Sequence, residues 1–178
     1  MFYVFLVGLC FFQMFSTIPV YYEDEIHLSK KTIGLVLAMN GIMIALIEMV
    51  LVYKLEHKRN PVFYLVAGAA MIGASFLMLD LSTAFAMVLA SMVVITFGEM
   101  LLFPFMNNFW VKRSNERNRG QYAAVYTMSF SLAIVLAPTF SSQVATHFGF
   151  PVLWVVNFFI CSFAAAGFFL LQKQMSHE

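Results

Sequence analysis

The sequence predicts an all-α membrane protein, a single bundle of six transmembrane helices over residues 1–178, and three observations predict it. The chain is 62% hydrophobic and 11% charged, where soluble domains are roughly half apolar and a quarter charged. Its apolar residues lie in continuous runs matching the roughly 20 helical residues that cross a hydrocarbon core about 30 Å thick. Lysine and arginine gather on alternate connections between those runs. A soluble fold would have too little polar surface to cover 21 Phe and 13 Met. A membrane barrel is excluded because its strands alternate polar and apolar residues.

The six spans fall at about 2–22, 32–53, 61–79, 83–105, 120–147 and 151–171. The first begins without a basic n-region and is longer than a secretory h-region, so it reads as a retained helix. Ser29 is placed to cap the second, and Pro61 and Pro151 suit first-turn positions, where a missing N–H is harmless. The fifth is long or kinked. Polar connections occupy 22–31, 54–60, 80–82, 107–119 and 148–150, and none could hold a soluble domain.

Alternate sides carry unequal positive charge. Lys54, Lys58, Arg59, Lys112, Arg113, Arg117, Arg119 and Lys173 make eight on one side, against Lys30 and Lys31 on the other. The positive-inside rule then puts both termini in the cytoplasm and Glu23, Asp24 and Glu25 outside. A net charge of +1 with no basic face gives no reason to expect nucleic acid. Cys10 and Cys161 lie in apolar runs and read as small buried thiols rather than a disulfide.

Ionisable residues within spans raise functional questions because each costs a few kcal/mol there. Glu48, in the second span, is the leading proton-coupling candidate, with Glu99, in the fourth, behind it. Residues seven apart on a helix differ by about 20° in direction, so Gly41 and Glu48 share a face, and Asn40, about 80° away, borders it. A carboxyl group there can exchange between neutral and charged forms as water reaches it. The competing assignment is snorkelling to the interface or a fixed hydrogen bond.

Gln13 and Thr17 sit one turn apart in the first span. Tyr122, Tyr126 and Ser129 form a stripe in the fifth that continues through Ala133 to Leu136. Gln13, Thr17, Asn40, Gly41, Tyr126 and Ser129 are the substrate-cavity candidates, with Asn157 behind them, and helix packing is the alternative for each. Pro104 and Pro138 are candidate kinks or gates. Gly68, Ala69, Ala70, Gly73 and Ala74 in the third span permit close helix approach. His27, His57, His147 and His177 lie at span ends or in loops, away from Cys or acid at ligand spacing. No metal centre, cofactor site, activated nucleophile or phosphate-cradling loop can be assembled, which argues against an enzyme.

The order of these features resembles the C-terminal six helices of a major facilitator superfamily transporter of the drug:proton antiporter type. The carrying segments are Leu28-Ser29 with Ile33-Gly34, Asn40-Gly41 followed by Glu48, the basic loop Lys54 to Arg59, Arg119-Gly120-Gln121-Tyr122, and Ala137-Pro138. The loop keeps Glu56, Lys58 and Arg59 of the superfamily's glycine-, acid- and arginine-rich motif but lacks both glycines. The resemblance implies a carrier of a bacterial cytoplasmic (inner) membrane that moves small, often amphipathic molecules by alternating access, with exchange driven by protons. It also implies a partner, because the six N-terminal helices expected of the family are absent. That partner is the other half or a second copy of this chain. A membrane scaffold or partner subunit without transport activity is the competing function.

Overall fold

A computed structural model describes the backbone of residues 1–175 and side-chain surroundings through residue 171. His177 and the Lys173 side chain fall outside the described residues. Among the described residues there are seven α-helices and no strands: α1 (Phe2–Phe11), α2 (Gln13–Asp24), α3 (Lys30–Leu55), α4 (Pro61–Leu81), α5 (Phe85–Arg113), α6 (Arg119–Phe148) and α7 (Phe150–Met175). They make six spans, because α1 and α2 are one apolar rod interrupted only at Phe12.

The spans keep the expected order and mostly lengthen. The largest correction is α5, expected to end at residue 105 and in fact helical to Arg113. Its 29 residues reach about 44 Å at ~1.5 Å per residue, well beyond the hydrocarbon. The last turn stands in water, where Lys112 and Arg113 complement the carboxyl end of the helix dipole. Ser114 then closes it, its N–H meeting the Trp110 and Val111 carbonyls. Asn115 Oδ1 accepts from the Arg117 and Asn118 N–H groups, an Asx turn that reverses the chain.

Local chemistry explains the other ends. Ser29 caps α3 by accepting from the Thr32 N–H at 3.2 Å, and Asn60 caps α4 ahead of Pro61. The expected turn at 80–82 shifts to 82–84, since Asp80 and Leu81 are still helical. Between α6 and α7 the turn narrows to Gly149 alone, at φ 84° and ψ 164°, a region essentially reserved for glycine. Both α5 and α6 run helical through their internal prolines, Pro104 and Pro138.

The centre of the bundle is α4, which packs most extensively against α5 and α7. Glycine makes both approaches possible. A methyl group on Gly68 would come within 2.7 Å of the Gly98 carbonyl oxygen on α5, and one on Gly73 within 2.9 Å of Cys161 Cβ on α7. Five residues separate the two glycines, a rotation of about 140° around the helix, so they serve different neighbours. The close-approach role read for this small-residue segment therefore rests on Gly68 and Gly73, while Ala70 is exposed.

Aromatic residues fill the two ends of the core. Trp154 stacks on Phe76 at 5.6 Å and meets the Tyr21 ring edge-on at 5.1 Å. Tyr21 donates to the Leu79 carbonyl, and at the other end Tyr64 donates to the Leu55 carbonyl, both at 2.9 Å. Each tyrosine thereby ties the end of one helix to another. Cys10 and Cys161 are free and buried.

The main packing has an internal symmetry. Exchanging the first three spans with the last three turns the contact of the first span with α6 into that of α5 with α3. It likewise turns the contact of the first span with α7 into that of α5 with α4, and leaves α4 with α7 unchanged. Three is odd, so the second triplet runs upside down relative to the first. The outer members, α3 and α6, are the least covered spans, with 11% of their apolar window buried against 44–56% in the others.

Alanine at Gly98 would place Cβ 2.8 Å from Ile72 Cγ1 and 2.9 Å from the Gly68 oxygen. Gly98→Ala is expected to destabilise the bundle by about 1–3 kcal/mol, read as a lower thermal unfolding midpoint in detergent. Gly41→Ala, with nothing within 4 Å, is expected to leave that midpoint unchanged.

Candidate functional site

The buried polar side chains that bond to one another across this apolar bundle form three sets, each joining two spans, while Ser75 and Ser91 donate to carbonyls of their own helices. The first lies between the first span and α7. Gln13 Nε2 donates to Asn157 Oδ1 at 3.0 Å, and Asn157 Nδ2 returns a bond to Gln13 Oε1 at 2.8 Å. Both residues are fully buried. Gln13 was expected to line the cavity; it is instead consumed in a closed amide pair, because a carboxamide in an apolar interior needs both donor and acceptor matched.

The second set joins α2 to α6 through the hydroxyls of Thr17 and Ser141, the latter also donating to the Ala137 carbonyl at 2.7 Å. Beside it opens a groove of about 570 Å³ at the end of the bundle that carries Glu23, Asp24 and Glu25. Ser16, Thr17, Asp24, Thr139, Ser142 and Thr146 supply its polar lining, and Pro138 also borders it. Thr17 and Pro138 thus lie where a cavity exists. Thr139, Ser142 and Thr146 were missed, although their i, i+3, i+7 spacing was a readable hydroxyl stripe.

The third set is centred on Glu99, fourteen residues from either end of α5. Asn40, from α3, donates to Glu99 Oε2 at 2.9 Å and to Thr96 Oγ1 at 3.0 Å. Asn40 is 5% exposed and Thr96 not at all, while Glu99 is partly buried. Asn40 was expected to border the Gly41 and Glu48 face. The roughly 80° between them is enough to turn Asn40 into the α3 and α5 contact while Gly41 stays on the uncovered side. Glu48 is half-buried, has no hydrogen bond among the described residues, and lies about two turns beyond Asn40 along α3. Thr96, one turn before Glu99 on the same face, was also missed.

The remaining candidates are dispersed. Tyr126 lies between Trp110 and Phe130, with centroids 5.7 and 4.9 Å away, and borders a small cavity of about 190 Å³ with Tyr122 and Arg113. Ser129 donates back to the Val125 carbonyl beside a wide apolar groove between α1 and α6. Glu56 accepts from Asn108 at 3.4 Å, Lys58 is exposed, Arg59 lies over the Phe63 ring at 5.1 Å, and Arg119 is an exposed first residue of α6. The loop acid is therefore engaged with α5 rather than with its basic neighbours. Among the described residues the single ion pair is the exposed Lys30 and Glu23, at 3.4 Å, a kind that contributes little. No group of three or more His, Cys, Asp or Glu that could hold a metal occurs among the described residues.

A family model described as Major Facilitator Superfamily matches residues 1–177. The chain is 25% identical over 161 residues to a "Na(+), Li(+), K(+)/H(+) antiporter" of Planococcus maritimus, covering 82% of this chain and 37% of that protein. It is 24% identical over 150 residues to the uncharacterized MFS-type transporter YttB of Bacillus subtilis (strain 168), covering 84% of this chain and 38% of that protein. The match therefore spans less than two fifths of the length of either relative. No solved structure gives a significant match.

The reciprocal amide pair makes a measurable claim. Gln13→Leu leaves the Asn157 carboxamide in the core with only the weak Cys10 thiol donor at 3.7 Å and is expected to lower stability by about 1–3 kcal/mol. Adding Asn157→Leu should recover part of that loss. Thermal unfolding of the two single variants and the double variant forms a cycle, and strictly additive losses would show that the residues do not bond.

Proposed function

The chain belongs to the major facilitator superfamily, and from that premise we propose that it is the C-terminal half of a secondary active transporter, exporting small molecules in exchange for protons. In this superfamily the substrate cavity forms between two six-helix halves. Three observations support a half: the lengths of the relatives, the poorly covered α3 and α6, and the small residues Gly34, Ala38, Gly41 and Ala45 exposed along one stripe of α3. Small residues on a lipid-embedded surface suit close contact with another helix. The completing partner is a second six-span unit, with lipid around the rest.

The observation that carries proton coupling is the Glu99 carboxyl held by Asn40 across α3 and α5, at the middle of α5. A carboxyl group in that position takes up a proton when enclosed and releases it when water enters, which is what coupling to alternating access requires. The relative named as a cation/proton antiporter supports the reading. The hydroxyl-lined groove between α2 and α6 supplies a substrate surface at the end opposite the basic loops. Eight basic residues on one side and two on the other support placing those loops, and both termini, in the cytoplasm of a bacterial inner membrane.

Reconstituted in liposomes with its completing half, the Glu99→Gln variant is expected to lose proton-driven transport by at least about tenfold while retaining substrate exchange without a pH gradient. Glu48→Gln is expected to weaken the same flux less. Undiminished pH-driven flux in Glu99→Gln overturns the coupling assignment.

A further inference from the structure

Glu99 presents two oxygens, and the hydrogen bonds around it tell them apart. Thr96 donates its one hydroxyl proton to the Met92 carbonyl, a turn earlier on α5, at 2.6 Å. It has no proton left for Asn40 and can only accept, which it does from Asn40 Nδ2 at 3.0 Å. The amide end of Asn40 is thereby fixed toward α5. The other hydrogen of the same nitrogen goes to Glu99 Oε2 at 2.9 Å. An acid proton on Oε2 would make that oxygen the poorer acceptor of the two and weaken the bond from Asn40. Oε1 accepts no hydrogen bond among the described residues.

We propose that Asn40, held in register by Thr96, is a positioning residue that keeps Glu99 Oε2 a permanent acceptor, so that the exchangeable proton binds and leaves at Oε1. The bond from Asn40 then survives both states. Oε2 accepts as a carboxylate oxygen when the proton is gone and as the carbonyl oxygen of the acid when it is present. The other titratable side chains of the packed elements lie away from Glu99: Glu48 is about two turns beyond Asn40 on α3, and Tyr64 and Asp80 sit near the two ends of α4. The importance of Glu99 for transport rests on the preceding proposal; the assignment of its two oxygens does not.

Infrared difference spectra between protonated and deprotonated states of the intact transporter in lipid read this directly. The acid carbonyl band of Glu99 is identified by its loss in Glu99→Gln. Thr96→Val, nearly isosteric, releases the Asn40 amide and is expected to move that band to higher wavenumber, as is Asn40→Leu. Thr96→Ser, which restores the hydroxyl, should leave the band in place. Proton-driven flux should fall several-fold in Thr96→Val and return in Thr96→Ser. A band at one position in the parent and all three variants, or no Glu99 band at all, overturns the proposal. Shifted bands with flux indifferent to Glu99→Gln would leave the oxygen assignment standing and remove Glu99 from transport.

Discussion

Inside a bilayer a polar group that loses its partner cannot turn to water, and this constraint places most of the buried polar side chains, the partnerless indole N–H groups of Trp110 and Trp154 being the exceptions among the described residues. Gln13 faces Asn157, Thr17 faces Ser141, and Asn40 faces Thr96 and Glu99. Each set crosses between spans, so the demand for satisfaction fixes which helices are neighbours and how they are rotated. Apolar packing then fills the space, with α4 at the centre because its glycines let two other helices approach its backbone.

The three sets are not equivalent. In the Gln13 and Asn157 pair each amide nitrogen and oxygen has a partner and both residues are fully buried, which suits a fixed joint. In the hydroxyl set one neighbour is an open groove. In the third set the group at the end is ionisable and one of its oxygens is uncommitted, and no other bonded set inside the described bundle combines these properties. The difference between structure and function in this chain is therefore written in unused hydrogen-bonding capacity rather than in polarity alone.

Much of the architecture was legible in the sequence. Apolar length gave the span count, and Ser29 and Pro61 marked two helix starts because capping and proline chemistry act locally. The extension of α5 to Arg113 was not legible, because a helix leaving the membrane passes through Asn107, Asn108, Lys112 and Arg113, which read as a loop when hydropathy is the only guide. The direction of Asn40 was equally hidden, since α3 is apolar all round and offers no face against which to measure 80°. Gln13 and Asn157 lie 144 residues apart, and no local pattern joins them. Glu99 stood out by its charge, whereas Thr96, uncharged and common in helices, gave no signal until its partner across the interface was known.

The single residue between α6 and α7 bears on how these two spans can move. With only Gly149 between Phe148 and Phe150, the connection has no slack, so one helix cannot slide along its axis without drawing the start of the other with it. Gly149 holds φ 84° and ψ 164°, a region essentially reserved for glycine, so a side chain there strains the joint itself. A displacement of the sparsely covered α6 at that end is therefore handed to α7, which is packed against the central α4.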